Sequence, residues 1–230
     1  MNLIFGIAVT VIFYILTADA IKKHPGAFYL GIYVWCGAVV MYFNLGYDQK
    51  FPEWFNIYFM NMFSRGIFTT ATFMVVMYLG VITKHNKLSR KLMSVRGEIS
   101  IIGSLLTLSH NVVFGVKYFP MLFTNPKAMP TRELIASSIT LCLLAMLIPL
   151  FITSFKVVRR KMSGKTWKKV QRMAYPFFIG IYVHIMVLYS ADVKSHLTGI
   201  IIYSVIYIGY VVLRLRKAAL KSRKLKVTAA

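Results

Sequence analysis

Apolar residues in this chain gather into long runs rather than narrow stripes. Seven runs, at about 2–20, 27–46, 66–83, 97–119, 133–156, 174–191 and 197–213, approach the ~20 residues a helix needs to cross a ~30 Å hydrocarbon layer. The connecting segments are short and polar or aromatic, without a repeat, a low-complexity tract or a linker. The pattern predicts an all-α integral membrane protein, one transmembrane domain over 1–230 with about seven helices. Composition agrees, since the chain is 58% hydrophobic where soluble domains are about 45–50% apolar.

Charge changes the picture only through its placement. A formal net charge of +22 would by itself suggest nucleic acid. With seven spans, however, alternate loops share a side, and 22 of the 28 basic residues fall on one of them. These are Lys22 and Lys23, Lys84 to Arg96, Lys156 to Arg172, and Arg214 to Lys226. The other side keeps Lys50, Arg65, Lys117, Lys127, Arg132 and Lys194. Basic loops stay cytoplasmic, which predicts the N-terminus outside and the C-terminus inside. The charge is topological, and no basic module long enough to fold outside the membrane is present, so no nucleic-acid partner is expected. The stretch RRKMSGKTWKKVQR reads as a solvated surface loop attractive to anionic membrane lipid.

The first run lacks a basic leader, and Lys22 and Lys23 follow it, so it reads as an uncleaved helix rather than a signal peptide. Cys36 and Cys142 fall within spans and read as small packing residues, with neither a disulfide framework nor a zinc motif. No glycine-rich phosphate loop occurs. The outer segment 47–65 carries Trp54, Tyr58 and four phenylalanines, and suits either a piece lying in the membrane interface or an ordered cap. Pro120, Pro126 and Pro130 in the next outer loop argue against helix continuation there.

Five histidines remain. His24 and His85 lie in inner loops and His196 follows the last outer loop, where solvated or interfacial roles are expected. His110 and His184 lie deep within spans, and an intramembrane ionisable residue is a functional-site hypothesis with a partner to be found. At 1.5 Å per residue His110 is roughly 20 Å and His184 roughly 17 Å from the inner ends of their helices. The two helices run parallel, so both imidazoles reach one level in the outer half, as one iron held between two helices requires. Gly103, Thr107 and Gly180 recur on the same faces at helical spacing. They leave either a slot for a flat macrocycle or close helix–helix contact, and the hydroxyls of Thr107 and Ser109 are candidates to orient an imidazole. Periodicity alone leaves both a cofactor site and polar packing open. Copper or zinc would lack a third and fourth ligand at that depth.

Two stretches, GKTWKKVQRMAYPFFIGIYVHIMVLY and RGEISIIGSLLTLSHN, resemble the haem helices of the ferric reductase-like transmembrane family of b-type cytochromes. That family includes the membrane domains of NADPH oxidases. The motifs LTLSHN, LFTNPKAMP and IPLFITSF are similar to small clostridial-type haem-sensing and haem-capturing membrane proteins of the same family. Two-haem members carry two histidines per haem helix, about 13–14 residues apart, and here Arg96 and Gln171 stand at the inner positions. The resemblance therefore implies one haem b per chain near the outer face of a bacterial cell membrane, with His110 and His184 as iron ligands. Lys117, Arg132 and Lys194 are then the cations at hand for its propionates. Two functions follow from this reading, haem capture or sensing with protection from haem or oxidative stress, and electron transfer from quinol or a cytosolic flavoprotein; a haem-free scaffold or transporter is the alternative if the histidines only pack.

Overall fold

A computed structural model describes the backbone of residues 2–83 and 86–228 and the side chains of residues 3–83 and 86–222. Lys84 and His85, and the side chains of Arg223, Lys224 and Lys226, lie outside the described residues. Every regular element among the described residues is helical. The α-helices are α1 (Asn2–Lys23), α2 (Pro25–Asn44), α3 (Glu53–Phe55), α4 (Asn61–Ser64), α5 (Ile67–Val81) and α6 (Lys87–Ser94). They continue with α7 (Arg96–Thr124), α8 (Thr131–Ser154), α9 (Lys156–Arg160), α10 (Gly164–Gln171), α11 (Ala174–Tyr189) and α12 (Val193–Thr228).

Among the described residues six helical stretches are long and apolar enough to cross a membrane: α1, α2, α7, α8, α10 with α11, and Val193–Ser222 of α12. A seventh is reached only if the pair Glu53–Ser64 and Ile67–Val81, bent by 49°, counts as one span. The run expected at 66–83 therefore counts as a span only together with the bent segment before it. The 15 residues of α5 reach only about 22 Å, short of a ~30 Å hydrocarbon layer. Most of α5 is nevertheless buried, because it forms the axis of the bundle, packed against α1, α7 and α12. The outside of the bundle is apolar instead. Ile201, Val205, Ile208 and Val212 expose one continuous stripe of α12, and Ile4, Ile12 and Leu16 do the same on α1. An apolar surface on this scale is what lipid covers.

Local chemistry sets the element ends. Pro25 occupies the first turn of α2, where a missing N–H costs nothing. The Asn86 side chain accepts from Ser89 N at 2.8 Å to cap α6, and the Ser163 hydroxyl accepts from Thr166 N at 3.1 Å to cap α10. Pro120 does not stop α7, contrary to expectation. The helix runs on to Thr124, where the Thr124 hydroxyl donates to the Pro120 carbonyl at 2.8 Å and the Asn125 amide closes on Met121. A proline near a helix end forfeits one backbone bond, that to the Val116 carbonyl, a loss the helix tolerates here. Cys36 is buried and donates to the Leu105 carbonyl at 3.3 Å, whereas Cys142 faces out of the bundle rather than packing inside it.

The segment after α2 is neither a plain loop nor a straight helix. A 3-10 turn at Tyr47–Gln49, α3, a π-helical turn at Asn56–Met60 and α4 succeed one another up to Gly66. Phe51, Phe55, Phe59 and Phe63 succeed one another with ring centroids 5.3 to 5.6 Å apart, and Trp35 of α2 packs its edge against the last two. Gly66 then takes a left-handed conformation, φ 71°, which glycine adopts without steric cost. The chain turns there into α5.

Candidate functional site

The turn at Gly66 has a chemical consequence. In an uninterrupted helix the Ser64 carbonyl would be consumed by an amide one turn ahead, but the first amide of α5 to close a bond is Thr70, on Gly66 itself. The Ser64 carbonyl is instead 2.7 Å from Nδ1 of His110 on α7. On α8, the carbonyl of Ala136 lies 3.2 Å from Nδ1 of His184 on α11, with the Thr140 hydroxyl 3.4 Å away. A carbonyl oxygen only accepts, so both Nδ1 atoms carry the proton. Each neutral imidazole is then left with its lone pair on Nε2, the arrangement that orients metal-binding histidines.

The structure brings these two rings together, with centroids 6.3 Å apart and planes at 85°. Two imidazole nitrogens about 2.0–2.1 Å from one metal, plus about 1.1 Å from nitrogen to ring centre at each end, would give roughly 6.3 Å. The centroid spacing matches that sum, and the hydrogen bonds at Nδ1 leave Nε2 of each ring available. Among the described residues no group of three or more His, Cys, Asp or Glu could hold a bare ion.

A cavity of about 190 Å³ lies beside the rings, walled by Phe114, Tyr118 and Phe119 on α7 and by Ala136 and Thr140 on α8. Ligand pockets are commonly about 300–1,000 Å³, so a macrocycle needs the wall to move. Within that wall the Phe119 ring lies across Gly115, close enough that a Cβ there would meet it at 2.9 Å.

The other residues singled out from sequence are distributed unevenly. Arg132 lines the cavity, but its guanidinium is paired with the neighbouring Glu133. Lys117 sits over the Tyr118 ring at 5.2 Å, one side chain removed from the cavity. Lys194 is exposed at the start of α12 and does not line it. Gly103 and Gly180 leave no slot there. A Cβ on Gly103 would lie 2.9 Å from Thr72 and 3.2 Å from Phe73, and one on Gly180 would lie 2.8 Å from Leu143, so both let helices close on each other. Thr107 and Ser109 do not orient an imidazole. Their hydroxyls donate back along α7 to the carbonyls of Gly103 and Leu106, at 2.8 and 2.9 Å, as hydroxyls in helices commonly do. Backbone carbonyls take over the orienting role. His24 precedes α2, and His196 stacks on Tyr189 at 4.6 Å.

Glu133 was missed from sequence. It lines the cavity, its side chain is 13% exposed, and Oε2 is buried without a partner among the described residues. Its position after Pro130 in an apolar helix was the available signal.

At the other end of the bundle, a second cavity of about 850 Å³ holds both Arg96 and Gln171. Arg96 Nε donates to the Val76 carbonyl at 2.8 Å, beside Gly80, whose missing side chain leaves room for the guanidinium. Gln171 Nε2 donates to the Thr153 hydroxyl at 3.0 Å, and Trp167 Nε1 to the Thr153 carbonyl at 3.1 Å. No histidine among the described residues lines this cavity.

Comparison with known proteins adds a relative without a function. The chain is 31% identical over 231 residues to an uncharacterized protein of Treponema pallidum (strain Nichols), covering 95% of this chain and 61% of the relative. The chain thus spans less than two thirds of that protein's length. No family model matches the chain, and no solved structure matches it.

Proposed function

We propose that this chain is a haem b-binding membrane protein holding one haem between His110 and His184, and that it serves to capture or sense haem. The observation that carries the reading is the pair itself: two half-buried imidazoles with ring centroids 6.3 Å apart, each held by its Nδ1 to a backbone carbonyl of a different element. Packing glue would not need both Nε2 lone pairs left without a donor. When bound, haem would supply a redox-active iron, and His110 and His184 are the residues that would hold it. The chain's part is to fix both rings, keep them neutral and wall the site with aromatic side chains. Arg132 and Lys117 are the cations nearest the cavity, and Glu133 tempers the charge of the first.

The basic-loop asymmetry orients the bundle with its N-terminus outside and places the histidine pair toward the outer face. Arg96 is 14 residues before His110, roughly 21 Å along α7. The inner cavity offers arginine and glutamine where a relay would use imidazole, which supports capture over rapid transfer from a cytosolic flavoprotein. Quinol within the membrane remains the donor that a redox role would call for.

His110→Ala and His184→Ala are each expected to abolish the low-spin haem spectrum of the purified protein or convert it to high-spin. His24→Ala and His196→Ala should leave it intact. An unchanged bis-histidine spectrum in either core variant would remove that residue from the ligand set.

A further inference from the structure

The cavity at the basic end is built for an anion that also carries apolar chains. Arg96, Lys156, Arg159, Lys168, Arg172 and Arg214 line it, against one carboxylate, Glu98. Glu98 is already taken, since Lys156 Nζ lies 2.6 Å from it. No carboxylate among the described residues comes within salt-bridge distance of the other five. Two of those five are held in place by aromatic rings instead: Arg159 over Trp167 at 4.3 Å and Arg214 over Tyr175 at 4.6 Å. Arg96 reaches deeper, half-buried, and only its Nε is bonded. A guanidinium away from bulk water calls for a counter-charge. Below this layer the walls turn apolar, with Phe73, Met77, Leu147, Leu150, Phe177 and Phe178.

Cations at the mouth and hydrocarbon beneath match one kind of molecule. The geometry points to a single anionic phospholipid bound among α7, α8, α9, α11 and α12, its phosphate on Arg96, Arg159 and Arg214 and its chains along the apolar wall. Basic pockets between membrane helices on the cytoplasmic side take such headgroups, and planar guanidinium matches phosphate by forked hydrogen bonding. The site is independent of the histidine pair at the opposite end, so neither reading stands on the other.

Calorimetric titration of the full chain in detergent micelles tests it, using dioctanoyl phosphatidylglycerol, dioctanoyl phosphatidylcholine and inorganic phosphate as separate probes. The expected result is saturable binding of one phosphatidylglycerol per chain, at least tenfold tighter than phosphatidylcholine, with phosphate alone failing to compete at equal concentration. Arg96→Gln should weaken it about tenfold, the loss expected for one charge-assisted hydrogen bond. Arg214→Gln, at a partly exposed position less critical to folding, should weaken it similarly, and Lys127→Gln at the other end should not. Equal affinity for the two lipids, or unchanged affinity in both arginine variants, would overturn the proposal. Inorganic phosphate binding as tightly as the lipid would assign the site to a free phosphate compound and overturn the lipid.

Discussion

Gly66 shows how one residue shapes the candidate site. Its left-handed backbone ends α4, releases the Ser64 carbonyl for His110, and its Cα lies so near that an added Cβ would stand 3.4 Å from His110 Cγ. Gly66→Ala is therefore expected to destabilise the protein by about 1–2 kcal/mol, the usual cost of a left-handed non-glycine residue. Thermal unfolding in detergent measures it, and an unchanged midpoint would mean that the turn relaxes freely. Residue-level reading of the sequence succeeded where depth alone decides contact: His110 and His184 meet as their positions along parallel helices imply. It failed for the small residues. Gly103 and Gly180 carry the same signal whether a slot or a neighbouring helix faces them, and only the neighbours, Thr72 and Leu143, decide. Nothing in sequence spacing reveals that a carbonyl 46 residues away orients His110.

At the element scale, hydropathy found the helices that lipid surrounds and misjudged the one that protein surrounds. α1, α2, α8 and α11 each lie within a few residues of a predicted run, because long apolar runs carry their own length signal, whereas α7 and above all α12 continue past the ends of theirs. α5 reads like a span yet is a 15-residue axis buried by its neighbours, preceded by a broken helix that sequence left as interface or cap. The π-helical turn at Asn56–Met60 and the turn at Gly66 interrupt any simple period there. The basic stretch around Trp167 likewise folds into α10, capped by Ser163, rather than remaining a solvated loop. Its lysines look solvated in sequence, while Trp167 and Gln171 on the same short helix point to Thr153.

At the scale of the whole molecule, the charge asymmetry and the two cavities describe one polarity. The large cationic cavity lies at the basic end, and the small one with the histidine pair lies at the end where cations are few. If basic loops set the orientation, a cysteine introduced as Lys127→Cys should react with an impermeant thiol reagent on intact cells, and Lys165→Cys should not. Reversed labelling would invert the bundle and move the histidine pair to the cytoplasmic side. The number of haems per chain bears most directly on the central claim, because it follows from the one imidazole pair and from Arg96 and Gln171 at the other end. Pyridine haemochrome analysis of the purified full chain, saturated with haem, is predicted to give one haem b per chain. None, or two, would contradict the account.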